Sequence, residues 1–400
     1  MEELAGLVSA AGGVAVLRSL QERPSPDPAT FIGKGKLEML ALACDEQDVS
    51  LVVFDHELSP TQLRQIEPAV GRRVIDRTQL ILDIFAGRAR TREGKSQVEL
   101  AQLRYLLPRL VGAGLELSRL GGGIGTRGPG ETKLETDRRR IRQRIATIAA
   151  NIEQVRERRA RIRERRQKTS VPTVALVGYT NAGKTTVFNL LTGGTAEASD
   201  ALFVTLDPLV RQVKLPDRRE LLVSDTVGFI DRLPHTLVAA FRATLEEARD
   251  ADLLIHVVDG AAPGRAQRIK AVEAVLHEID AAQVPRLDVL NKADLLDDEG
   301  RARAVADLHD PVVMSALHGD GRDRLLERIT QRLRMETRRV RVTLDARTEQ
   351  GRRHVAWLYR HAQVRRHDTA DGVTIIDADV PARDVDLLPA RSIRFPGEER

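Results

Sequence analysis

Short unbroken apolar runs recur along the chain, separated by stretches of helical period. The runs at 51–54, 73–75, 173–177, 221–224, 253–258, 287–290 and 312–314 suit strands buried on both faces of a sheet. Residues 14–17 read as one more short strand. Helices are predicted at 34–43, where Leu37, Leu40 and Leu42 are apolar, and from Ser59 to Ile66, with Pro60 in the first turn. Asp76 and Gln79 form a capping box ahead of Leu80, Ile81, Ile84 and Phe85. Further amphipathic helices fall at 234–248, 266–279 and 323–333. Residues 209–215 and 221–224 pair as a hairpin around Pro216 and Asp217.

A different pattern occupies the second quarter. Leu100, Leu103, Leu107 and Leu110 lie at helical spacing over 96–111. Over 134–168 a seam of Leu134, Ile141, Ile145, Ile148, Ile152, Val155 and Ile162 follows heptad steps, broken by Arg138 and Arg159. Two such helices joined by a loop predict an antiparallel helical arm. The loop, 121–130, is glycine-rich, offers one apolar side chain and carries Arg127, so it brings backbone close to a partner without packing a core. Near the C-terminus, Val340, Val342 and Leu344 alternate, as do Val373 and Ile375, around a helix at 350–359 whose Trp357 and Tyr359 belong to core or rim.

These elements predict an α/β chain in four parts: a small α/β domain over 1–95, the arm over 96–170, a doubly wound domain with a mostly parallel sheet over 171–335, and a small α+β domain over 336–400. Composition narrows the class. A single cysteine, Cys44, excludes a disulfide framework and a cysteine-based zinc cluster. No apolar run approaches a membrane span, and the first Arg or Lys is Arg18, which does not fit a signal peptide; a cytoplasmic protein is expected, acting as a monomer. Asp55, His56 and Glu57 lack a spacing that converges three ligands and read as a loop at a strand end.

Charge changes the picture more. The net charge is only +5, yet residues 138–168 hold thirteen Arg or Lys against three Glu, a net +10. Everything else therefore sums to −5. A segment that reverses the sign of the whole chain, on a projecting arm, points to a nucleic-acid backbone. Arg127, Arg138, Arg139, Arg140, Arg142 and Arg144 are the candidate contacts. With aromatics at 3%, base stacking is disfavoured and folded RNA fits better.

The chemistry centres on Gly178-x-x-x-x-Gly183-Lys184-Thr185, which follows the 173–177 strand and opens a helix, as a phosphate-binding loop requires. Tyr179, Thr180, Asn181, Ala182 and Thr186 complete the loop. Lys184 would reach the β- and γ-phosphates and Thr185 would ligate Mg²⁺. Downstream, Asp225, Thr226, Val227 and Gly228 stand at a strand end, where the carboxylate holds Mg²⁺ through water and the Gly228 N–H meets the γ-phosphate. In the intervening loop Phe203, Val204, Thr205, Leu206 and Asp207 lie between these motifs, with Thr205 placed to complete the metal shell. Loss of the γ-phosphate would release both loops. Lys184, Thr205 and Gly228 are the candidate catalytic residues. Asn291, Lys292, Ala293 and Asp294 select the base: the Asp294 carboxylate matches the paired donors of guanine, which adenine lacks, and Ser315 and Ala316 reach the guanine oxygen. An ATP-driven RNA remodeller is disfavoured on this ground. Phe229 follows Gly228 where a water-orienting Gln is common, so unassisted hydrolysis is expected to be slow. Asn181 resembles the asparagine of cation-dependent GTPases, which suggests K⁺ beside the phosphates.

Together with 31–36, 54–60, 74–78, 90–95 (Arg90-Thr-Arg-Glu-Gly-Lys95), 121–136 and Asp225-Thr-Val-Gly-Phe229, these motifs resemble an HflX-type GTPase over nearly the whole chain. The resemblance implies binding to the large ribosomal subunit and its RNA, hydrolysis of GTP to GDP stimulated there, and splitting or rescue of stalled ribosomes under stress. It also implies an arm whose tip reaches toward the peptidyl-transferase region, and a chain that begins after the family's opening strand. Two alternatives stay open: a GTP-switched binding module for a protein partner with little turnover, and a ribosome assembly factor.

Overall fold

The structure, a computed structural model, describes residues 1–110, 129–167, 171–197, 201–215, 219–231, 245–333, 337–389 and 393–394, the side chains of 129–134, 159–160, 162–167, 337 and 382–383 aside. Its largest sheet has six strands in the order β4-β5-β3-β6-β7-β8. These are β3 (Thr173–Gly178), β4 (Leu209–Lys214), β5 (Glu220–Asp225), β6 (Leu253–Asp259), β7 (Arg286–Asn291) and β8 (Val312–Val313). All pairings are parallel except that of edge strand β4 with β5. Strand β3 sits between β5 and β6, so the loops leaving β3, β5 and β7 open on one edge. That is where a doubly wound sheet places its ligand.

Helices α1 (Glu2–Ala10), α2 (Lys34–Glu46), α3 (Pro60–Val70), α4 (Arg77–Arg88) and α5 (Arg92–Arg109) surround a two-stranded parallel sheet of β1 (Leu51–Phe54) and β2 (Arg73–Asp76). Ser59 and Gln62 close a reciprocal capping box on α3, and Pro60 stands at its start. Asp76 caps α4 through the Gln79 N–H at 2.9 Å. Its other oxygen accepts from Leu58 N–H and from Arg109 at the far end of α5, which ties strand, loop and helix together.

Residues 14–17 form no strand. Val14 is 83% exposed, and the segment lies outside the β1–β2 ladder. Helix α1 supplies the apolar anchor instead, with Leu7 fully buried. The long helix α6 (Pro129–Gln167) packs along α5, with Ile148 buried and Arg144 paired to Glu99 at 2.7 Å. Val155, expected in the seam, is exposed, and beyond it Arg156 is paired with buried Glu246 at 2.7 Å. The glycine-rich segment 121–128 and the expected turn at Pro216 and Asp217 lie outside the described residues, as does most of the helix expected at 234–248.

Two cores flank the large sheet. One face packs on α7 (Lys184–Thr192) and α10 (Arg322–Arg332), through Val187, Phe188, Leu325 and Ile329. The other shares a continuous core with the N-terminal elements: Ile81, Phe85, Val98 and Tyr105 join Val177, Phe203, Leu206, Val227 and Phe229. Helices α8 (Arg265–Glu278) and α9 (Asp298–Ala306) complete the layers. A separate antiparallel sheet, in the order β10-β11-β9-β12, forms the C-terminal region. It contains β9 (Thr337–Asp345), β10 (Gln363–Ala370), β11 (Val373–Pro381) and β12 (Ile393–Arg394), with α11 (Glu349–His361) between β9 and β10. Val340, Val342 and Leu344 face its core as their alternation implies. In β11 the alternation runs the other way: Val373 and Ile375 point out, while Ile376, Ala378 and Val380 are buried. Trp357 packs at the core margin and Tyr359 is exposed.

Candidate nucleotide site

The loop from Gly178 to Lys184 folds back on itself because two positions need unusual backbone. Gly178 has φ +153°, and a Cβ there would stand 2.3 Å from the Val257 carbonyl. Gly183 has φ +88°, and its Cβ would meet the Asn291 amide nitrogen at 2.3 Å. No other residue type fits either place. Between them, Thr180 N–H donates to the Phe229 carbonyl at 2.7 Å and Phe229 N–H donates to Gly178 at 3.1 Å. The loop after β5 is thereby stitched to the loop after β3. Asn181 is exposed at the loop crest, with φ +59°, and Ala182 is buried beneath it.

A cleft of about 290 Å³ opens here, lined by Thr180, Asn181, Gly183, Lys184, Thr185, Thr186, Phe203, Val204, Thr205, Thr226, Gly228 and Lys292, together with Ala201 and Leu317. Lys184 is 6% exposed and donates to the Gly178 and Tyr179 carbonyls at 3.2 and 2.9 Å. Burial pushes its ammonium down to about 8, against the pull of Asp225. Asp225 is itself fully buried; desolvation raises its carboxyl, with Lys184 and the Thr185 and Thr205 hydroxyls opposing.

Three groups from three elements converge on one point. The Thr185 and Thr205 hydroxyls lie 2.9 Å apart, and each reaches Asp225 Oδ2, at 2.8 and 3.1 Å. Asp225 Oδ1 is buried with no hydrogen-bond partner among the described residues. An all-oxygen donor set around an under-satisfied buried carboxylate fits a hard divalent cation such as Mg²⁺. Gly228 sits behind it: a Cβ there would be 2.8 Å from the Thr180 Cα and 3.0 Å from Lys184 Nζ.

Asn291, at the end of β7, braces the site rather than facing its mouth. It donates to the Ala182 carbonyl at 2.9 Å and accepts from Ala316 N–H at 3.0 Å. Lys292 reaches Asp259 Oδ2 at 2.8 Å, Ala293 N–H bonds Met314, and Ser315 N–H bonds Asp320. Asp294 is exposed, with its carboxyl held below the ordinary value by a Ser315 hydrogen bond.

Several expected residues turn elsewhere. Thr226 bonds the Leu176 carbonyl at 2.6 Å across the sheet, although it still borders the cleft. Leu206 and Val227 are core residues, and Asp207 points toward α5. The Phe229 ring is 1% exposed in the shared core. Tyr179 leaves the cleft as well: its hydroxyl bonds Glu3 and accepts from Asp231 N–H at 2.8 Å. Arg77, buried at the start of α4, bonds the same Glu3, Asp55 and the Asp231 carbonyl. Glu3, Arg77 and Asp259 escaped the sequence reading, because no local spacing links them to the motifs they hold. On α6, Arg139, Arg140 and Arg142 are exposed; Arg138 and Arg142 pair with Glu135, Arg140 with Asp137 and Arg144 with Glu99. Arg127 lies outside the described residues.

Family comparison matches this arrangement segment by segment. Residues 1–86 match a GTP-binding GTPase N-terminal model, 88–166 a GTP-binding GTPase middle region, 173–292 a 50S ribosome-binding GTPase and 302–396 an HflX C-terminal domain. A GTPase HflX of Caldanaerobacter subterraneus is 50% identical over 339 residues, 84% of this chain and 78% of the relative. The chain belongs to the HflX family of GTPases. The Escherichia coli member is 47% identical over 386 residues, 96% of this chain and 90% of that protein. Among solved structures, a GTP-binding protein of Sulfolobus solfataricus in complex with GDP is 26% identical, covers 83% of this chain and 94% of its own, and superposes with a TM-score of 0.43. Among the described residues no helix is long and apolar enough to cross a membrane.

Proposed function

We propose that this GTPase turns over GTP on the large ribosomal subunit, gripping ribosomal RNA with its basic arm, and that the cycle splits or rescues stalled ribosomes under stress. The observation that carries this is the exposed Arg139, Arg140 and Arg142 on α6, a 39-residue helix tied by Arg156 and Glu246 to the nucleotide-binding half. The match of 173–292 to a 50S ribosome-binding family supports it. The reading is of a cytoplasmic monomer in four parts with boundaries near 95, 170 and 335.

Within the site, Thr185, Thr205 and Asp225, the last through water, would hold Mg²⁺, which neutralises phosphate charge as the β–γ bond breaks. Lys184 shifts from its two carbonyls to the phosphates, and the Gly228 N–H faces the γ-phosphate. Asp294 accepts from guanine, Lys292 lies along the base, and Ser315 and Ala316 meet the guanine oxygen. The buried Phe229 orients no water, so turnover is slow until the ribosome supplies the missing group. Asn181, exposed at the crest, is the candidate K⁺ ligand. Phe229 also favours a second reading, a GTP-switched binding module with little turnover. Steady-state phosphate release with separated subunits distinguishes the two. Acceleration by large subunits alone supports the proposal; equal rates with and without them favour the module. Equal rates in KCl and NaCl would remove the K⁺ site.

A further inference from the structure

Asp207 stands two residues beyond Thr205, yet its carboxylate leaves the nucleotide cleft entirely. Oδ2 accepts from the N–H groups of Arg90 and Thr91, each at 2.9 Å, and Oδ1 accepts from the Thr91 hydroxyl. Thr91 is the N-cap of α5, and its own oxygen accepts from Gly94 N–H at 2.9 Å. The carboxylate thus satisfies the donors just ahead of the first arm helix, at its positive end, where negative charge is favoured. Gly94 makes room for it: a Cβ there would stand 2.3 Å from Asp207 Oδ1.

The residues between these two contacts leave little slack. Phe203 is buried edge-on against Phe85 of α4, 4.7 Å between ring centroids, and Leu206 is buried in the shared core. Thr205, between them, is held at Asp225 and Thr185. One short loop is therefore fastened at one point to the cation-binding hydroxyls and at the next to the root of the arm. Motifs 116 residues apart in the chain meet in this contact.

We propose that the Asp207 carboxylate is a latch: seated on the N-terminus of α5, it holds Thr205 in the triphosphate-sensing position, so that nucleotide state and arm position bias each other. This rests on the nucleotide reading above. Coupling of this kind is reciprocal: whatever seats the latch favours GTP over GDP, and GTP seats the latch. A ligand on the arm that displaces α5 would then loosen Thr205.

The test compares Asp207→Ala and Gly94→Ala with the unaltered chain. The second change is on the arm side, keeps the charge and adds a better helix former. Because its Cβ would also stand 3.2 Å from the Thr91 cap oxygen, thermal melting of both variants accompanies the titrations, and an unchanged melting point separates the latch from a weakened cap. Titrations with a fluorescent non-hydrolysable GTP analogue and with fluorescent GDP, both in Mg²⁺, give the two affinities. The latch requires analogue affinity to fall by about tenfold or more in both variants, while GDP affinity moves by less than about twofold. Thr205→Ala should do the same, and joining Gly94→Ala to Asp207→Ala should add nothing. Amide hydrogen exchange at Arg90 and Thr91 should slow with the analogue relative to GDP in the unaltered chain, and this difference should vanish in Asp207→Ala. An analogue-to-GDP ratio unmoved in both latch variants, while Thr205→Ala moves it, overturns the latch and leaves the nucleotide site standing. If the unaltered folded chain binds neither nucleotide, the nucleotide reading falls and the latch with it.

Discussion

Asn291 donates its side-chain amide to the carbonyl of Ala182, 109 residues earlier, at a distance of 2.9 Å. The same side chain accepts from Ala316, so one residue spans the phosphate loop, the end of β7 and the loop after β8. Its work in the structure is to brace these loops. Asn291→Ala would leave a buried carbonyl and a buried N–H unpaired, costing about 2–4 kcal/mol of stability. Urea denaturation should show the loss, and GDP titration should show weaker binding, because the phosphate loop loses its brace.

In the proposed function base selection falls to Asp294, which the fold leaves exposed, its carboxyl held below the ordinary value by a Ser315 hydrogen bond. Asp294→Asn replaces a charged double acceptor by an amide and should weaken GTP about 100-fold or more. Because xanthine presents a carbonyl where guanine has an amino group, the variant should gain affinity for xanthosine triphosphate. Competition binding with the two nucleotides reads both changes at once.

Phe229 invites a repair that the packing forbids. Its ring lies in the core shared with the N-terminal elements, and its backbone carries two of the bonds that stitch the loops. Phe229→Gln should cost about 3 kcal/mol, through poorer apolar packing and a buried amide, without raising unassisted phosphate release. Thermal melting and single-turnover hydrolysis check the two halves of this expectation.

Much of this was visible in the order of residues. The strand, loop and helix around Gly178 and Lys184 are local, and a parallel sheet turns local order into a shared edge, so the loops after β3, β5 and β7 were bound to converge. What stayed hidden is non-local. Neither Arg90-Thr91 nor Asp207 carries a spacing that announces their contact, and nothing near Glu3 links it to Tyr179. The lack of a strand at 14–17 has the same root: a short apolar run becomes a strand only where a neighbour offers a ladder, and this one has none in the β1–β2 sheet. In β11 the period was legible but not the face, since the covering helix α11 decides which side is buried.

The arm makes an electrostatic claim that is independent of the nucleotide. Changing Arg139, Arg140 and Arg142 to Glu should leave GTP affinity unchanged, since all three are exposed on α6, away from the cleft. Attachment to ribosomal RNA should weaken at every salt concentration, and the slope of log affinity against log salt should fall by about 0.7–0.9 for each phosphate that the arm no longer neutralises. Filter binding across a salt series measures both.

The most direct measurement is co-sedimentation with separated ribosomal subunits in the presence of a non-hydrolysable GTP analogue or GDP. The chain is expected to pellet with large subunits in the analogue state, weakly with GDP, and with small subunits in neither. Recovery in the supernatant with both subunits and both nucleotides would contradict a GTPase whose arm grips the large subunit.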